Sequence, residues 1–409
     1  MTEAPPPNHS TAAKQQVSAG IWTALIVTVL ASIPGFYLGA SHTHVAPLAG
    51  SLLFGVAIFA AAFILSWAAE AAQMDISESL AVAILALVAV LPEYAVDFVF
   101  TWKAAHDPSQ AHYAIANMTG ANRLLVGLGW PAVLLIYVVA KRRKQIIMDS
   151  TQQVEIFYLA MATVYSFTIP LKGSLTLVDT IILVTLFGLY TRRAAQLESV
   201  EPEAVGPVKI LANMGKAQRR TFTAVMFLWS GAVIFFVAEP FAESLVAMGT
   251  QFGIDEFFLV QWLAPIASEA PEFIVAATWA ARGMATSALK ALISSKVNQW
   301  TLLVGTIPVV FSISSGVIRP FPLDILQQHE LLLTAAQSLF GVAVLVNLRL
   351  NRSESVLLAV LFLSQLVVQQ IRMEVAAVYV ALAVVYHIVN RKHLIPALRT
   401  GLGWKRGTR

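Results

Sequence analysis

Apolar runs long enough to cross a lipid bilayer follow one another along nearly the whole chain. A membrane helix needs about 20 consecutive, predominantly apolar residues. Twelve such runs can be read, over residues 20–40, 45–69, 76–104, 112–140, 154–171, 174–191, 221–248, 256–282, 286–316, 328–349, 354–371 and 374–390. They are too long and too uniformly apolar for the alternating strands of a membrane barrel. Composition agrees: 57% of the 409 residues are hydrophobic and 12% charged, where a soluble domain carries about 25% charged residues. So few charges cannot cover a water-soluble surface of this size. A soluble enzyme, a disordered chain and a nucleic-acid-binding domain are excluded, and the lipid bilayer is the expected surrounding.

The basic residues set an expected orientation. With the N-terminus inside, the connecting segments on that side collect 20 Lys and Arg against 4 on the other, with Arg123, Lys290 and Lys296 inside the runs. Loops rich in Lys and Arg stay cytoplasmic, so both termini are expected in the cytoplasm. The net charge of +4 reflects that bias. There are no cysteines, which excludes disulfides and thiolate metal sites. Residues 1–19 read as a polar, disordered tail without the order of a signal peptide, and 391–409 as a basic tail. The polar stretch 192–220 reads as a linker between two membrane halves, 20–191 and 221–390.

The halves repeat one another. Leu91-Pro92-Glu93-Tyr94-Ala95-Val96 parallels Ala270-Pro271-Glu272-Phe273-Ile274-Val275, and each segment is followed by a Thr-Trp pair, Thr101-Trp102 and Thr278-Trp279. Leu124-Leu125-Val126-Gly127 likewise parallels Leu302-Leu303-Val304-Gly305, at 35 positions from Pro92 and 34 from Pro271. The two Pro-Glu pairs are five runs apart, an odd number, so the repeats are expected to be inverted. The fold expected is an all-α integral membrane protein with an inverted 5+5 helix repeat and one extra span at each end. The repeat units lie at about 80–131 and 259–308.

Proline within a helix removes a hydrogen bond and frees carbonyls, which lipid tolerates only against protein or a wet cavity. A carboxylate at that depth costs roughly 2.5–3.5 kcal/mol on insertion scales. A sequence that does this twice, symmetrically, points to function. Asp97, four residues after Glu93, shares its helix face, as Ser268 and Glu269 share that of Glu272. Asn117, Thr119 and Asn122 lie on the next run of the first half, and Ser294, Ser295, Asn298 and Gln299 on that of the second. Carboxylates, amide oxygens and hydroxyls are hard donors that suit Ca²⁺, Na⁺ or H⁺ rather than soft metals. His329 and His387 lie near the ends of runs, away from these groups.

The paired Pro-Glu motifs resemble the alpha repeats of the cation/calcium exchanger superfamily, which includes the sodium/calcium exchangers. That resemblance implies ten core helices in two inverted halves and exchange of Ca²⁺ for Na⁺, K⁺ or H⁺ by alternating access. The family repeat resembles Gly-Thr-Ser-x-Pro-Glu on one helix and Gly-Ser-Asn-x-x-Asn/Asp on the next. Carried over, the ion-binding glutamates fall on Glu93 and Glu272, the hydroxyl on Ser268, and the second-helix positions on Ser295 and Gln299. In the first half, Gly120-Ala121-Asn122 echoes the second motif, while the repeat alignment points to Asn117. Ala89 and Val90 replace the expected Thr and Ser, Glu269 replaces a small hydroxyl residue, and Asp97 is an added acid. Arg123 and Lys296 bring positive charge that either snorkels away or is neutralised by Asp97 or Glu269.

These readings make the expected function a secondary cation antiporter, moving Ca²⁺ or another cation against Na⁺ or H⁺. The expected cation ligands are Glu93, Asp97, Asn117, Asn122, Ser268, Glu269, Glu272, Ser295 and Gln299. A monovalent cation/proton antiporter, a non-transporting relative and, further off, an ion channel are the alternatives. No cofactor is expected, the partners being inorganic cations. No His-Glu-x-x-His, nucleophile-elbow or phosphate-loop pattern marks an enzyme. Compact loops and the absence of cysteine suit a prokaryotic inner membrane.

Overall fold

The computed structural model describes residues 18–75, 91–197 and 206–403. The expected N-terminal tail up to residue 17, Ala89 and Val90, the middle of the expected linker at 198–205 and the last six residues lie outside that range. The first half contains α1 (Ala19–Ala40), α2 (Pro47–Gln73), α3 (Leu91–Ala104), α4 (Ala111–Leu124) and α5 (Trp130–Lys141). It continues with α6 (Gln153–Ser166), the short α7 (Thr168–Lys172) and α8 (Leu177–Ala194). The second half contains α10 (Lys216–Phe252), α11 (Glu256–Arg282), α12 (Ala285–Asn298), α13 (Val304–Ser315), α14 (Ile325–Leu345), α15 (Arg352–Val367) and α16 (Arg372–Val389). By length and apolar composition alone, seven segments of the described residues can cross a membrane, and the protein is an integral membrane protein.

Two segments expected to be polar connections are helical. Within 192–220, α9 (Val208–Ala212) buries Val208 and Leu211 beside Ile64 and Trp67 of α2. Past residue 390, α17 (Arg391–Leu402) lays Gly401 against Phe157 of α6. In both, a few apolar residues on one face of an otherwise basic segment are enough to dock it.

The sequence sets the helix boundaries locally. Asp255 caps α11 by accepting from the Phe257 amide at 2.9 Å. Capping boxes open α8 (Thr176 with Asp179), α14 (Asp324 with Gln327) and α15 (Asn351 with Glu354). Helix α11 stays helical through Pro265 and Pro271.

The repeat is visible in the backbone. In each half a 14-residue helix, α4 or α12, passes through a five-residue π-helical turn, Leu125–Gly129 or Gln299–Leu303, into a 12-residue helix, α5 or α13. A π turn inserts a residue into the helical ladder and is frequent at functional sites. Two short antiparallel ribbons fix the directions: β1 (Gln145–Ile147) with β4 (Arg349–Asn351), and β2 (Ser174–Leu175) with β3 (Phe321–Pro322). The chain passes through α6 and α7 from β1 to β2, and through α14 from β3 to β4, so the ribbons stand at opposite ends of the bundle. Because α5 leads into β1 and α13 leads into β3, these two helices point in opposite directions.

Helices α2 and α10 pack along each other with α1 beside them, joined by Trp229 donating to Ser32 at 3.0 Å. Beyond the end of α2, Arg219 grips Asp75 through two hydrogen bonds of 2.7 and 2.8 Å. The tightest helix contact brings α4 against α11. A Cβ on Gly120 would stand 1.8 Å from the Gln261 carbonyl oxygen, backbone against backbone, so neither side can yield. Gly120→Ala must therefore separate two of the helices that carry the polar groups described below. Overpacking of this kind costs about 1–3 kcal/mol or more. A thermal melt in detergent is expected to show a clear loss of stability for Gly120→Ala, and none for Gly188→Ala, where the new methyl meets nothing within 4 Å.

Candidate cation site

Four helices bring acids and amides together where the halves meet. Glu93, Tyr94 and Asp97 come from α3, Asn117 and Asn122 from α4, Ser268, Glu269 and Glu272 from α11, and Lys296 and Asn298 from α12. Gln299 opens the second π turn. Its side-chain amide donates to Glu93 Oε2 at 3.2 Å and to Glu269 Oε1, so one amide joins carboxylates from both halves. Tyr94 makes a second crossing, donating to Asn298 Oδ1 at 2.8 Å. Asn117 donates to Asp97 Oδ1 at 2.7 Å, and Asn122 turns its amide N–H to the Met118 carbonyl at 2.9 Å.

These donors leave acceptors over. Glu93 Oε1, Asp97 Oδ2, Asn117 Oδ1, Asn122 Oδ1, Glu269 Oε2, Glu272 Oε2 and Gln299 Oε1 are buried and accept no hydrogen bond. Buried polar atoms without partners are rare and costly. Seven such oxygens, with no N–H left over among their residues, leave acceptors for protons or a cation. Ser268 gives its hydroxyl proton to the Ala264 carbonyl at 3.1 Å, which leaves its oxygen free to act as an acceptor. Among the described residues no three His, Asp or Glu side chains close into a metal cage. The acceptors are carboxylates mixed with side-chain amides.

The two internal bases do not behave as the sequence suggested. Both are fully buried, so neither snorkels. Arg123 pairs with Glu330 of α14, rather than with Asp97 or Glu269, and donates to Gln365 at 2.8 Å. Glu330 also receives Arg372 at 2.7 Å and Gln261 at 2.8 Å. Lys296 donates to the Asn122 main-chain carbonyl at 2.7 Å and lies over the Trp300 ring. Among the described residues no carboxylate forms an ion pair with it. An ammonium without a carboxylate partner thus borders the acids.

Of the nine expected ligands, the structure brings Glu93, Glu269 and Gln299 into direct contact, and Asp97 with Asn117. Glu272 stands one helical turn from Glu269, half-buried, with one oxygen turned inward. Ser295 is half-buried, and among the described residues no hydrogen bond links it to the cluster. Sequence reading missed Glu330, 207 positions from Arg123, and the Tyr94–Asn298 bond, although both residues lie inside the repeated segments.

The profile of the sodium/calcium exchanger protein family matches residues 46–194 and 222–370. Among solved structures, the chain is similar to the H⁺/Ca²⁺ exchanger CAX, with 41% identity, coverage of 94% of this chain and 98% of that one, and a TM-score of 0.90. It is also similar to YfkE (16% identity, 90% and 99% coverage, TM-score 0.57). The sodium-calcium exchanger NCX_Mj is a third likeness (16% identity, 83% and 99% coverage, TM-score 0.51). The last two bear on the fold alone. No curated protein sequence matches.

The crowding of carboxylates makes a prediction for the protein without divalent cations. Glu93→Gln keeps an acceptor oxygen for the Gln299 amide but removes one buried acid that, without a cation, must either hold a charge in a dry interior or take up a proton at pH 8. Its melting temperature at pH 8 in a chelator is expected to rise above that of the wild type, since sites built for function are strained. A fall would show that the carboxylates are in balance without a cation.

Proposed function

Because this chain belongs to the sodium/calcium exchanger protein family, we propose that it is a secondary antiporter exchanging Ca²⁺ for H⁺ across the membrane. The observation that carries this reading is the set of buried side-chain oxygens without hydrogen-bond partners between the two halves. Ca²⁺ takes 6–8 oxygen ligands and accepts carboxylates, amide carbonyls and hydroxyls in flexible geometry. The similar CAX protein is described as an H⁺/Ca²⁺ exchanger, which supports the choice of coupling ion.

In this reading Glu93 and Glu269 are the first ligands, held at a fixed separation by Gln299. Glu272 and Asp97 complete the negative charge, and Asn117, Asn122 and Ser268 add neutral oxygens. Ser295 stands at the edge of the site. When Ca²⁺ leaves, the acids cannot all remain charged in a dry interior, and protons take its place. Ca²⁺ binding on the other side expels them. The buried site then faces each side in turn as α1, α2 and α10 move against the remaining helices. The full architecture we propose is twelve spans, an inverted 5+5 repeat with α1 and α16 as the additional spans. Both termini lie in the cytoplasm of a prokaryotic inner membrane, with 192–220 joining the halves.

Purified protein in liposomes, given an outward or inward pH gradient, is expected to drive Ca²⁺ uphill. Loss of one charged ligand costs at least about 1.4 kcal/mol of binding, so Glu93→Gln and Glu269→Gln are each expected to lower exchange at subsaturating Ca²⁺ by about tenfold or more. Glu272→Gln is expected to do the same. Flux driven by a Na⁺ gradient and indifferent to pH would assign the coupling to Na⁺. Unchanged flux in all three variants would remove these residues from the site.

A further inference from the structure

A second repeated motif lies outside the Pro-Glu segments. Gln152-Gln153-Val154-Glu155 opens α6, and Gln327-Gln328-His329-Glu330 opens α14. The motifs are 175 positions apart, beside the 176 that separate the starts of the two family-matching stretches. Glu155 and Glu330 are both buried, 1% and 0% exposed. Each is answered by a base from the other half: Glu155 by Lys290 of α12 at 3.7 Å, and Glu330 by Arg123 of α4. Those bases sit on the two helices that carry the second set of site residues in each repeat. Since α6 starts at the β1–β4 ribbon and α14 at the β2–β3 ribbon, the two ion pairs stand at opposite faces of the bundle.

We propose that Glu155 and Glu330 are symmetry-related positioning residues for the exchange cycle. Each braces, by way of its base, the ligand-bearing helix of the opposite half, and closes the bundle at its own face. The inference rests on the exchange reading given above. The two braces differ in tightness. At the β2–β3 face, Glu330 is enclosed by Arg123, Arg372 and Gln261, while Arg123 also lies over Trp262 at 5.2 Å. At the β1–β4 face the contact is slack: Lys290 is 35% exposed, and Glu155 Oε2 and Gln152 Oε1 are buried without a hydrogen bond. Glu330 Oε1 also lacks a hydrogen bond but lies 2.7 Å from Arg372 Nε, whereas Lys290 stands 3.7 Å from Glu155, so one brace is tight and the other slack, as expected if the two tighten alternately. Removing one partner of a buried pair leaves a charge that is costly in a dry interior, so the face concerned opens to water. The rest of the cation cluster stays intact.

The absence of cysteine makes a direct test possible. Thr119→Cys, between Arg123 and Gln261, and Ser294→Cys, one helical turn beyond Lys290, supply single reporter thiols in the full-length protein in oriented liposomes. With a membrane-impermeant thiol reagent, Glu330→Gln is expected to speed labelling of the first reporter about fivefold or more from the β2–β3 face only. Glu155→Gln, and the milder Lys290→Met, are expected to do so for the second reporter from the β1–β4 face only. In Ca²⁺ exchange without the reporters, the ratio of half-saturating Ca²⁺ at the β2–β3 face to that at the β1–β4 face falls in Glu330→Gln. It rises in Glu155→Gln and Lys290→Met. Labelling that is unchanged, or raised equally from both faces, overturns the proposal, as does a ratio that moves the same way in all variants. Reporter proteins that label as expected, beside a wild type that moves no Ca²⁺, overturn the exchange reading instead.

Discussion

The Gln299 amide, set between Glu93 and Glu269, is the contact on which the arrangement of the site depends. Among the described residues it is the single side-chain donor hydrogen-bonded to a carboxylate from each half, and it lies at the first residue of a π turn. The turn, the amide and the two acids therefore form one device. Its donors hold two oxygens and leave the others facing inward, at a depth where charge is admitted only if something balances it. Gly120 serves the same end from another direction, since its missing side chain lets α4 reach the backbone of α11.

Much of this could be read in the sequence, for a physical reason. Membrane burial forces long apolar runs, and against that background Pro92-Glu93 and Pro271-Glu272 stand out where the same dipeptide in a soluble chain would not. The Leu-Leu-Val-Gly pair added the spacing that made the repeat secure. The boundaries of α1, α8 and α12–α13 fall within a few residues of the apolar runs, because lipid exposure ends where polar caps begin.

What was not legible depended on contacts between distant segments. Arg123 was weighed against Asp97 and Glu269 because they are near in sequence pattern, yet its partner is Glu330, four helices on from the first half. Lys296 was given a carboxylate to neutralise it, and instead lies on a backbone carbonyl. Hydropathy patterns carry no record of which helix faces which. Of the two second-helix positions suggested by family resemblance, Gln299 takes the central place, while Ser295 is half-buried. The docking of α9 and α17 was hidden because each buries so little: Val208, Ile210 and Leu211 in α9, and Ala397 and Gly401 in α17.

The account stands on the claim that acids of both halves share one cation. Diffraction from crystals grown with Ca²⁺ tests it most directly. A single peak is expected, with Ca–O distances of about 2.3–2.6 Å to Glu93 from the first half and to Glu269 or Glu272 from the second. A peak ligated by the acids of one half alone would contradict it.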